Sequence, residues 1–440
     1  MDASPSLAED LSVTWPWYAL CLLFVLPFFD PRRPFRLLHV DLVVLAGAGI
    51  GPLHAWFGVR PPGWSVAISA AGLLWLLGRL LGAGFRRRRR PERLVPLLPT
   101  SWLAVAAVVL VCVRIGSVAV DPAFVSDVGL ASLIGADLIG EGHGIYDGQV
   151  HRTLPHGDTY GPVAYLAYVP LEQAMPWSAS LRPSEFEQPD AGYAAGPTFD
   201  VLILLGLFVL GRVLRGGAEG TRLGVALAYA WAASPYALLT LRFSTNDAVV
   251  ALFTLWAVVA LHYPLARGGL SALAGATKFA PLVIVPLLAS GTGERRPRAS
   301  LLFAGAFIVV TLAVYLPLMP DGGISELYDR TLGYQEERRG SVLFWGSFPE
   351  LNWLQTVTQV AVAALAVAVA LVPARKTPLQ VVALAAALLI AAQLSGRNWW
   401  AAYAVWFLPL AFAGLLGPYD CTDVPRPRFG RRAERLEAAT

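Results

Sequence analysis

Long apolar runs separated by short polar stretches dominate this chain. They lie at about 14–29, 38–58, 64–85, 100–119, 197–214, 222–241, 247–264, 299–319, 351–372, 379–395 and 399–417. Most approach the roughly 20 residues that a helix needs to cross a bilayer. Uninterrupted runs also lack the alternation of a transmembrane barrel. The pattern therefore predicts an all-α integral membrane protein, a polytopic helical bundle with about 11–13 transmembrane helices.

Two further apolar stretches do not fit a simple alternation of crossings. The stretch at 159–177 is compatible with a crossing or with an interfacial helix. The stretch at 269–290 has arginines on both sides, so one crossing there would break the positive-inside rule. We therefore favour a re-entrant pair of half-helices, broken near Lys278 and Pro281, over a single ordinary crossing.

The arginines orient the predicted bundle. They form clusters at 32–36, 86–90, 212–222, 295–298 and in the C-terminal tail. Basic loops stay in the cytoplasm, which places the N-terminus and the loops at 120–159 and 320–350 outside.

Composition supports a membrane protein and argues against other classes. Hydrophobic residues make up 56% of the 440 positions and charged residues only 15%, whereas soluble domains carry about 25% charged residues. The net charge of +4 arises from arginine clusters between apolar runs, so we expect no nucleic-acid partner. The three cysteines indicate neither a disulfide framework nor a zinc site.

The first outer loop concentrates ionisable residues. Its stretch VGLASLIGADLIG has helical apolar spacing and predicts a short helix on the membrane surface. Asp127 stands at the start of that helix, where Ser126 or Asp127 could simply be an N-cap. Three histidines follow, at 143, 151 and 156, but their spacing matches no helical ligand pair, and no metal is expected.

Other ionisable residues interrupt the apolar runs. Lys278 stands alone in its segment, and an intramembrane cation favours a functional role, with snorkelling to an interface as the alternative. Arg242, Asn246 and Asp247 cluster at one outer junction, and Arg397 lies at another. Either group could also be an interfacial anchor beside aromatic residues.

Several motifs together resemble a known family. Asp127 to Asp147 reads DVGLASLIGADLIGEGHGIYD and is followed by YGPVAYLAYVP, with GATKFAP and TLGYQEERRGSVLFWG further along. In this order they resemble GT-C class glycosyltransferases, and are most similar to glycosyltransferase family 87, with its polyprenol-phosphate-dependent mannosyltransferases of the actinobacterial type. The resemblance covers roughly 100–415. It implies an N-terminal three-helix addition at 1–95, a catalytic domain at 96–417 and a basic cytoplasmic tail at 418–440.

The resemblance implies a reaction and assigns roles to residues. Asp127 would be the catalytic base of an inverting transfer from a polyprenyl-phosphate sugar, with mannose the favoured sugar and no cofactor. The donor phosphate would be bound by cations, for which the candidates are Lys278, Arg338, Arg242 and Arg397. The sugar or acceptor would be bound by Tyr146, Tyr160, Gln335, Asn246, Asp247 and His156. Some relatives carry a histidine near Arg397, which leaves the matching position there open.

The expected partners are the donor lipid, a glycolipid or polysaccharide acceptor and the bilayer, with the active site on the outer face of the cell membrane. A transporter or flippase of a lipid-linked saccharide is the main alternative, since it would also use an embedded lysine. A transporter would place that site near the membrane midplane, whereas Asp127 is predicted at the outer rim. A non-catalytic envelope scaffold is a third alternative.

Overall fold

The structure is a computed structural model that describes residues 17–47, 63–86, 91–120, 125–176, 190–293, 297–337, 345, 349–396 and 401–421. Six helices in these ranges are long and apolar enough to cross a membrane: Ala67–Phe85, Thr100–Val120, Asp190–Leu214, Pro297–Leu318, Asn352–Leu371 and Pro378–Ser395. The prediction of an all-helical, multi-spanning membrane protein is therefore confirmed.

The number of crossings stays a prediction. A bent pair, Gly217–Ala232 and Pro235–Arg242, makes a seventh candidate if its two parts form one span. The runs at 14–29, 38–58 and 247–264 contain shorter apolar helices, Trp17–Phe28, Leu37–Gly47 and Asp247–Val259. The last run divides into a 3-10 helix, Ala401–Trp406, and a helix, Leu408–Leu416. These separate shorter helices do not reach the roughly 20 residues that a crossing needs, so they do not qualify as spans by length.

The segment around Lys278 folds back on itself. A helix, Pro264–Gly275, is followed after a short break by a 3-10 helix, Ala280–Ile284, and a helix, Val285–Ser290. A Cβ placed on Gly291 would lie 3.1 Å from the Arg267 guanidinium. A straight helix would separate these two positions by roughly 36 Å at 1.5 Å per residue. The segment is therefore a hairpin, as the re-entrant hypothesis requires, and Lys278 lies at its tip.

Several arginines gather at the end of the bundle opposite the hairpin tip, which we call the basic face. Two short strands pair there in parallel, Glu92–Leu94 with Tyr419–Cys421. Arg36 donates to the Arg93 carbonyl at 2.8 Å, and Arg222 pairs with Asp420 at 3.1 Å. Arg36 and Arg222 belong to arginine clusters that the sequence predicts on the same, cytoplasmic side, and they lie at the same end of the bundle.

The first helices pack into the same hydrophobic core as the rest of the chain. The ring of Phe24 lies 5.4 Å from that of Phe412, and Tyr229 donates a hydrogen bond to the Leu23 carbonyl at 2.6 Å. Gln380 donates to the Gly84 carbonyl at 2.9 Å. The helices N-terminal to residue 95 therefore support the central bundle directly.

The helix in the first outer loop forms where predicted but is placed differently. It spans Asp127–Gly140, and most of its side chains are buried by protein. The stretch at 159–177 supplies two short helices, Val163–Leu166 and Val169–Ala174, which pack against it and are too short to cross a bilayer. Protein therefore covers most of this helix, because its apolar positions and small residues permit close packing. Its place at the membrane surface stays a prediction.

Further described helices lie in the two loops that the sequence predicts to be outside. Gln149–Thr153 follows in the first outer loop, and Gly323–Tyr328, a π-helical turn Asp329–Gly333 and Tyr334–Glu337 form the second outer segment. Short 3-10 turns at Leu26–Phe28, Leu316–Leu318 and Pro349–Leu351 continue or begin longer helices.

Candidate functional site

Lys278 is enclosed by a carboxylate and three aromatic rings. Its ammonium lies 2.6 Å from Asp247 Oδ1, and the Trp406 indole N–H donates to the same oxygen at 2.9 Å. The ammonium is 5.1 Å from the ring centroid of Tyr160, 5.3 Å from that of Tyr403 and 5.4 Å from that of Trp406. Lys278 is therefore held in place by an ion pair and by cation–π contacts.

This enclosure explains how a lysine is tolerated at the tip of an apolar hairpin. Moving an ion out of water costs several kcal/mol unless other groups compensate. Only 7% of Lys278 and 2% of Asp247 are exposed. The side chain does not snorkel into solvent, so the interfacial alternative loses support.

Asp127 occupies the first turn of its helix without capping it. The N-cap is Ser126, whose hydroxyl accepts the Gly129 N–H at 3.2 Å. The Asp127 carboxylate is exposed and accepts the adjacent Val128 N–H at 2.9 Å. No basic side chain in the described ranges forms a salt bridge with it. The capping alternative is thus resolved in favour of Ser126, which leaves the Asp127 carboxylate accessible.

The turn before Asp247 holds the start of the Asp127 helix. Asn246 is fully buried, and its amide donates to the Val128 carbonyl at 3.3 Å and to the Ser132 hydroxyl at 3.1 Å. A Cβ on Gly129 would lie 2.2 Å from the Ser244 carbonyl oxygen, so only glycine permits this approach. The turn thus fixes the position of the carboxylate.

Tyr160 lies against the tip of the hairpin. The hydroxyl of Tyr146 donates to the Tyr160 carbonyl at 2.7 Å, and the Gly161 N–H donates to the Thr277 carbonyl at 3.3 Å. Burial, first of all, raises the pKa of Tyr160 well above its ordinary value, and the nearby charge of Asp127 adds to the rise. Tyr160 therefore keeps a neutral hydroxyl on the ring that faces the Lys278 ammonium.

A cavity of about 470 Å³ opens beside these groups. Its walls come from the first outer loop, the hairpin tip, the second outer segment and the C-terminal helices. The lining residues are Thr159, Tyr160, Lys278, Phe279, Ala280, Leu332, Gln335, Glu336, Gln359, Gly396, Tyr403 and Trp406. The volume is typical of small-molecule sites.

Contacts between the two outer segments hold the cavity walls together. Asp158 is buried and pairs with Arg330 at 2.7 Å, with the His151 ring nitrogen 3.5 Å away. The ring of His156 stacks on that of Tyr334 at 4.5 Å. These pairs lie next to lining residues in the sequence and so set the distance between the walls.

The structure brings together part of the predicted site. Tyr160, Lys278 and Gln335 line the cavity, while Asp247 lies behind Lys278. Arg338 and Arg397 fall outside the described residues.

Four of the predicted binding residues do not line the cavity. Tyr146 is 1% exposed and supports the backbone of Tyr160, and Asn246 supports the Asp127 helix. Arg242 ends a helix away from the lining, and His156 stacks on Tyr334 outside it. Direct contact of these four with a sugar or phosphate stays a prediction, and in the structure Tyr146, Asn246 and His156 are each directed to another partner.

Sequence reasoning missed several lining residues. Gln359 interrupts the apolar helix Asn352–Leu371, and this polar interruption was a usable signal. Tyr403 and Trp406 lie in a run interpreted only as a crossing. Nothing in the local pattern distinguishes cavity-lining aromatics from lipid-facing ones.

Within the described ranges, no three or more His, Cys, Asp or Glu side chains are grouped so as to hold a metal ion. The sequence matches no protein-family model and no curated protein. The cavity itself offers a fixed ammonium and amide-bearing walls. The accessible carboxylate of Asp127 is not among the lining residues and belongs to the helix that Asn246 holds next to Asp247. Such groups suit proton removal from a hydroxyl together with binding of an anionic group.

Proposed function

We propose that this protein is a membrane-embedded glycosyltransferase that moves a sugar, with mannose favoured, from a polyprenyl-phosphate donor to a hydroxyl of an envelope glycolipid or polysaccharide. One observation carries the proposal. Lys278 is fixed at the cavity wall by Asp247. Asn246, the residue before Asp247, holds the first turn of the helix that begins with the accessible Asp127.

Asp127 acts as the general base in this reaction. It accepts the proton of the acceptor hydroxyl while that oxygen bonds to the anomeric carbon of the sugar. The bond from the anomeric carbon to the phosphate oxygen breaks, and polyprenyl phosphate leaves with the bonding electrons. The phosphate needs no proton to leave, so a single carboxylate is enough, and attack from the opposite side inverts the anomeric configuration.

Lys278 stabilises the charge that develops on the leaving phosphate. An ammonium has three N–H donors, and Asp247 accepts one of them. A preorganised cation in a site with little water is worth more to the transition state than the same charge in solution. Arg338 and Arg397 lie outside the described residues. They remain candidates for binding the phosphate on the basis of the sequence alone.

The walls of the cavity suit the sugar. Gln335 and Gln359 carry amides that can donate to and accept from hydroxyl groups, and Tyr403 stacks on Trp406 at 4.4 Å to form a flat apolar face. The basic face lies at the other end of the bundle. The positive-inside rule therefore supports a reaction on the outer face of the cytoplasmic membrane.

The test is release of free polyprenyl phosphate from a panel of polyprenyl-phosphate sugars by purified protein with membrane lipid extract. Asp127→Asn should lower the rate at least about 100-fold while folding is kept, the range for loss of a general base. Asp147→Asn is the matched control, because Asp147 is also exposed in this loop and accepts a backbone N–H at 2.9 Å.

Near wild-type turnover by Asp127→Asn would remove Asp127 from the mechanism. If folded wild-type protein releases polyprenyl phosphate from none of the donors, the transferase proposal fails, and flipping of a lipid-linked saccharide in vesicles becomes the assay to run.

A further inference from the structure

We propose that Asn246 and Asp247 form a two-residue clamp that sets the distance between Asp127 and Lys278. Both act as positioning residues and neither contacts the substrate. This inference rests on the proposed function and replaces the sequence-based expectation that the two residues bind the sugar.

Asp247 acts through Lys278. One carboxylate oxygen of Asp247 accepts from both the Lys278 ammonium, at 2.6 Å, and the Trp406 indole, at 2.9 Å. Only 2% of Asp247 is exposed, and it is not among the cavity-lining residues, whereas Lys278 is. The carboxylate can therefore influence a substrate in the cavity only through the cation that it holds.

Asn246 acts through the Asp127 helix. Its amide nitrogen donates to the Val128 carbonyl, one residue after Asp127, and to Ser132 one turn later. Asn246 is 0% exposed. It therefore fixes the first turn of the helix that carries the base without reaching the cavity.

Asn246 and Asp247 are consecutive residues, so their contacts are held at a fixed separation. Consecutive Cα atoms are about 3.8 Å apart across a planar peptide bond, so the two contacts share one rigid unit. Ser244, two residues before Asn246, has a φ of 43°, a region that non-glycine residues rarely adopt. Its backbone is held by Ser126, which donates to the neighbouring Phe243 carbonyl at 2.9 Å. A strained, well-held turn is typical of a position where geometry matters.

The clamp makes the effects of two neighbouring residues separable. Asp247→Asn should weaken binding of undecaprenyl phosphate about tenfold, within the range of coupling between contacting residues. That loss should vanish in a Lys278→Met background and persist in an Asp127→Asn background. Asn246→Ala should instead lower kcat about tenfold with little change in the donor KM, and this loss should vanish once Asp127 is replaced by Asn.

The control is a second ion pair at the cavity wall, in which Asp158 is buried and Arg330 is partly exposed. Asp158→Asn removes the partner of Arg330, and any loss of binding that it causes should add to that of Lys278→Met. The double variant Asp247→Asn/Lys278→Met leaves no uncompensated charge and should fold at least as well as either single variant. Thermal unfolding of wild type, Asp247→Asn, Lys278→Met and the double variant measures the Asp247–Lys278 coupling without any substrate.

A loss from Asp247→Asn that stays undiminished in the Lys278→Met background would overturn the clamp, because it would show direct contact with the substrate. Additive unfolding midpoints in the cycle would overturn it as well. If the stability coupling is present but wild-type protein does not bind undecaprenyl phosphate, the proposed function fails while the ion-pair contact stands.

Discussion

Two of the buried ion pairs among the described residues are built alike. Lys278 pairs with Asp247 at 2.6 Å, and Arg114 pairs with Asp200 at 2.9 Å. In each pair an indole N–H donates to the same carboxylate oxygen, from Trp406 in the first and from Trp231, at 2.7 Å, in the second. Their surroundings differ. The Lys278 pair borders a cavity, and the Arg114 pair joins three helices in the core.

The Arg114 pair has a structural explanation. Its guanidinium donates to the carbonyls of Trp231 and Ala232, at 3.2 and 3.1 Å, where the chain breaks before Pro235 and bends by 58°. Carbonyls freed by such a break need new donors in an apolar environment. A buried ionisable residue is therefore a weak sign of function by itself, and a bordering cavity is what makes Lys278 a candidate.

The largest effect that we expect comes from breaking the core pair. Arg114→Met leaves Asp200 buried without its cation, which typically costs about 3–5 kcal/mol of folding free energy. The protein should accumulate poorly and unfold at a much lower temperature, as monitored by size-exclusion chromatography and thermal scanning in detergent. Arg114→Met/Asp200→Leu should recover part of the loss, and a fully stable Arg114→Met would refute the structural role.

Breaking the cavity pair should affect binding more than folding. Lys278→Met should weaken binding of undecaprenyl phosphate at least about tenfold, since a charge-assisted contact is worth about 1.5–3 kcal/mol. Lys376→Met is the matched control, because Lys376 is also buried but donates to the Ala370 carbonyl near the basic face. Loss of folded protein with Lys278→Met, at wild-type affinity in the remainder, would make this pair structural too.

The two tryptophans give a finer comparison. Trp406→Phe and Trp231→Phe each remove one indole hydrogen bond to a buried carboxylate. We expect Trp406→Phe to weaken undecaprenyl phosphate binding several-fold, because Lys278 loses part of its cage, with a small change in the unfolding temperature. Trp231→Phe should lower the unfolding temperature and leave the affinity per folded molecule unchanged. The opposite assignment of effects would reverse our distinction between the pairs.

The sequence predicted features that depend on local chemistry. The unusual position of Lys278, the arginines on both sides of its segment and Pro281 together indicated a hairpin, because charge and proline carry their own cost in a membrane. Pairings across distant positions could not be predicted. Asp200 lies 86 positions from Arg114, and nothing in either apolar run identifies its partner.

The surroundings of the Asp127 helix could not be predicted from its own sequence either. Its existence followed from apolar spacing, but its burial depends on the two short helices formed at 163–174. The choice between Ser126 and Asp127 as N-cap needed the backbone, because both residue types cap helices well. Tyr146 and Asn246 carry the chemistry of binding residues, yet the fold directs both to backbone carbonyls.

The smallest effect concerns Asp137, an acid in the Asp127 helix for which no cationic partner is found among the described residues. Burial, followed by the charges of Glu172 and Glu141, raises its pKa to about 6. A carboxyl whose pKa is higher in the folded protein favours folding only while protonated, so its contribution to stability falls as pH rises from about 4 to above 6. Asp137→Asn should therefore raise the unfolding midpoint by about 1–2 °C at pH 7.5 and leave it unchanged near pH 4. The exposed Asp147→Asn should change neither value, and an equal gain from Asp137→Asn at both pH values would show that titration of Asp137 is not the cause.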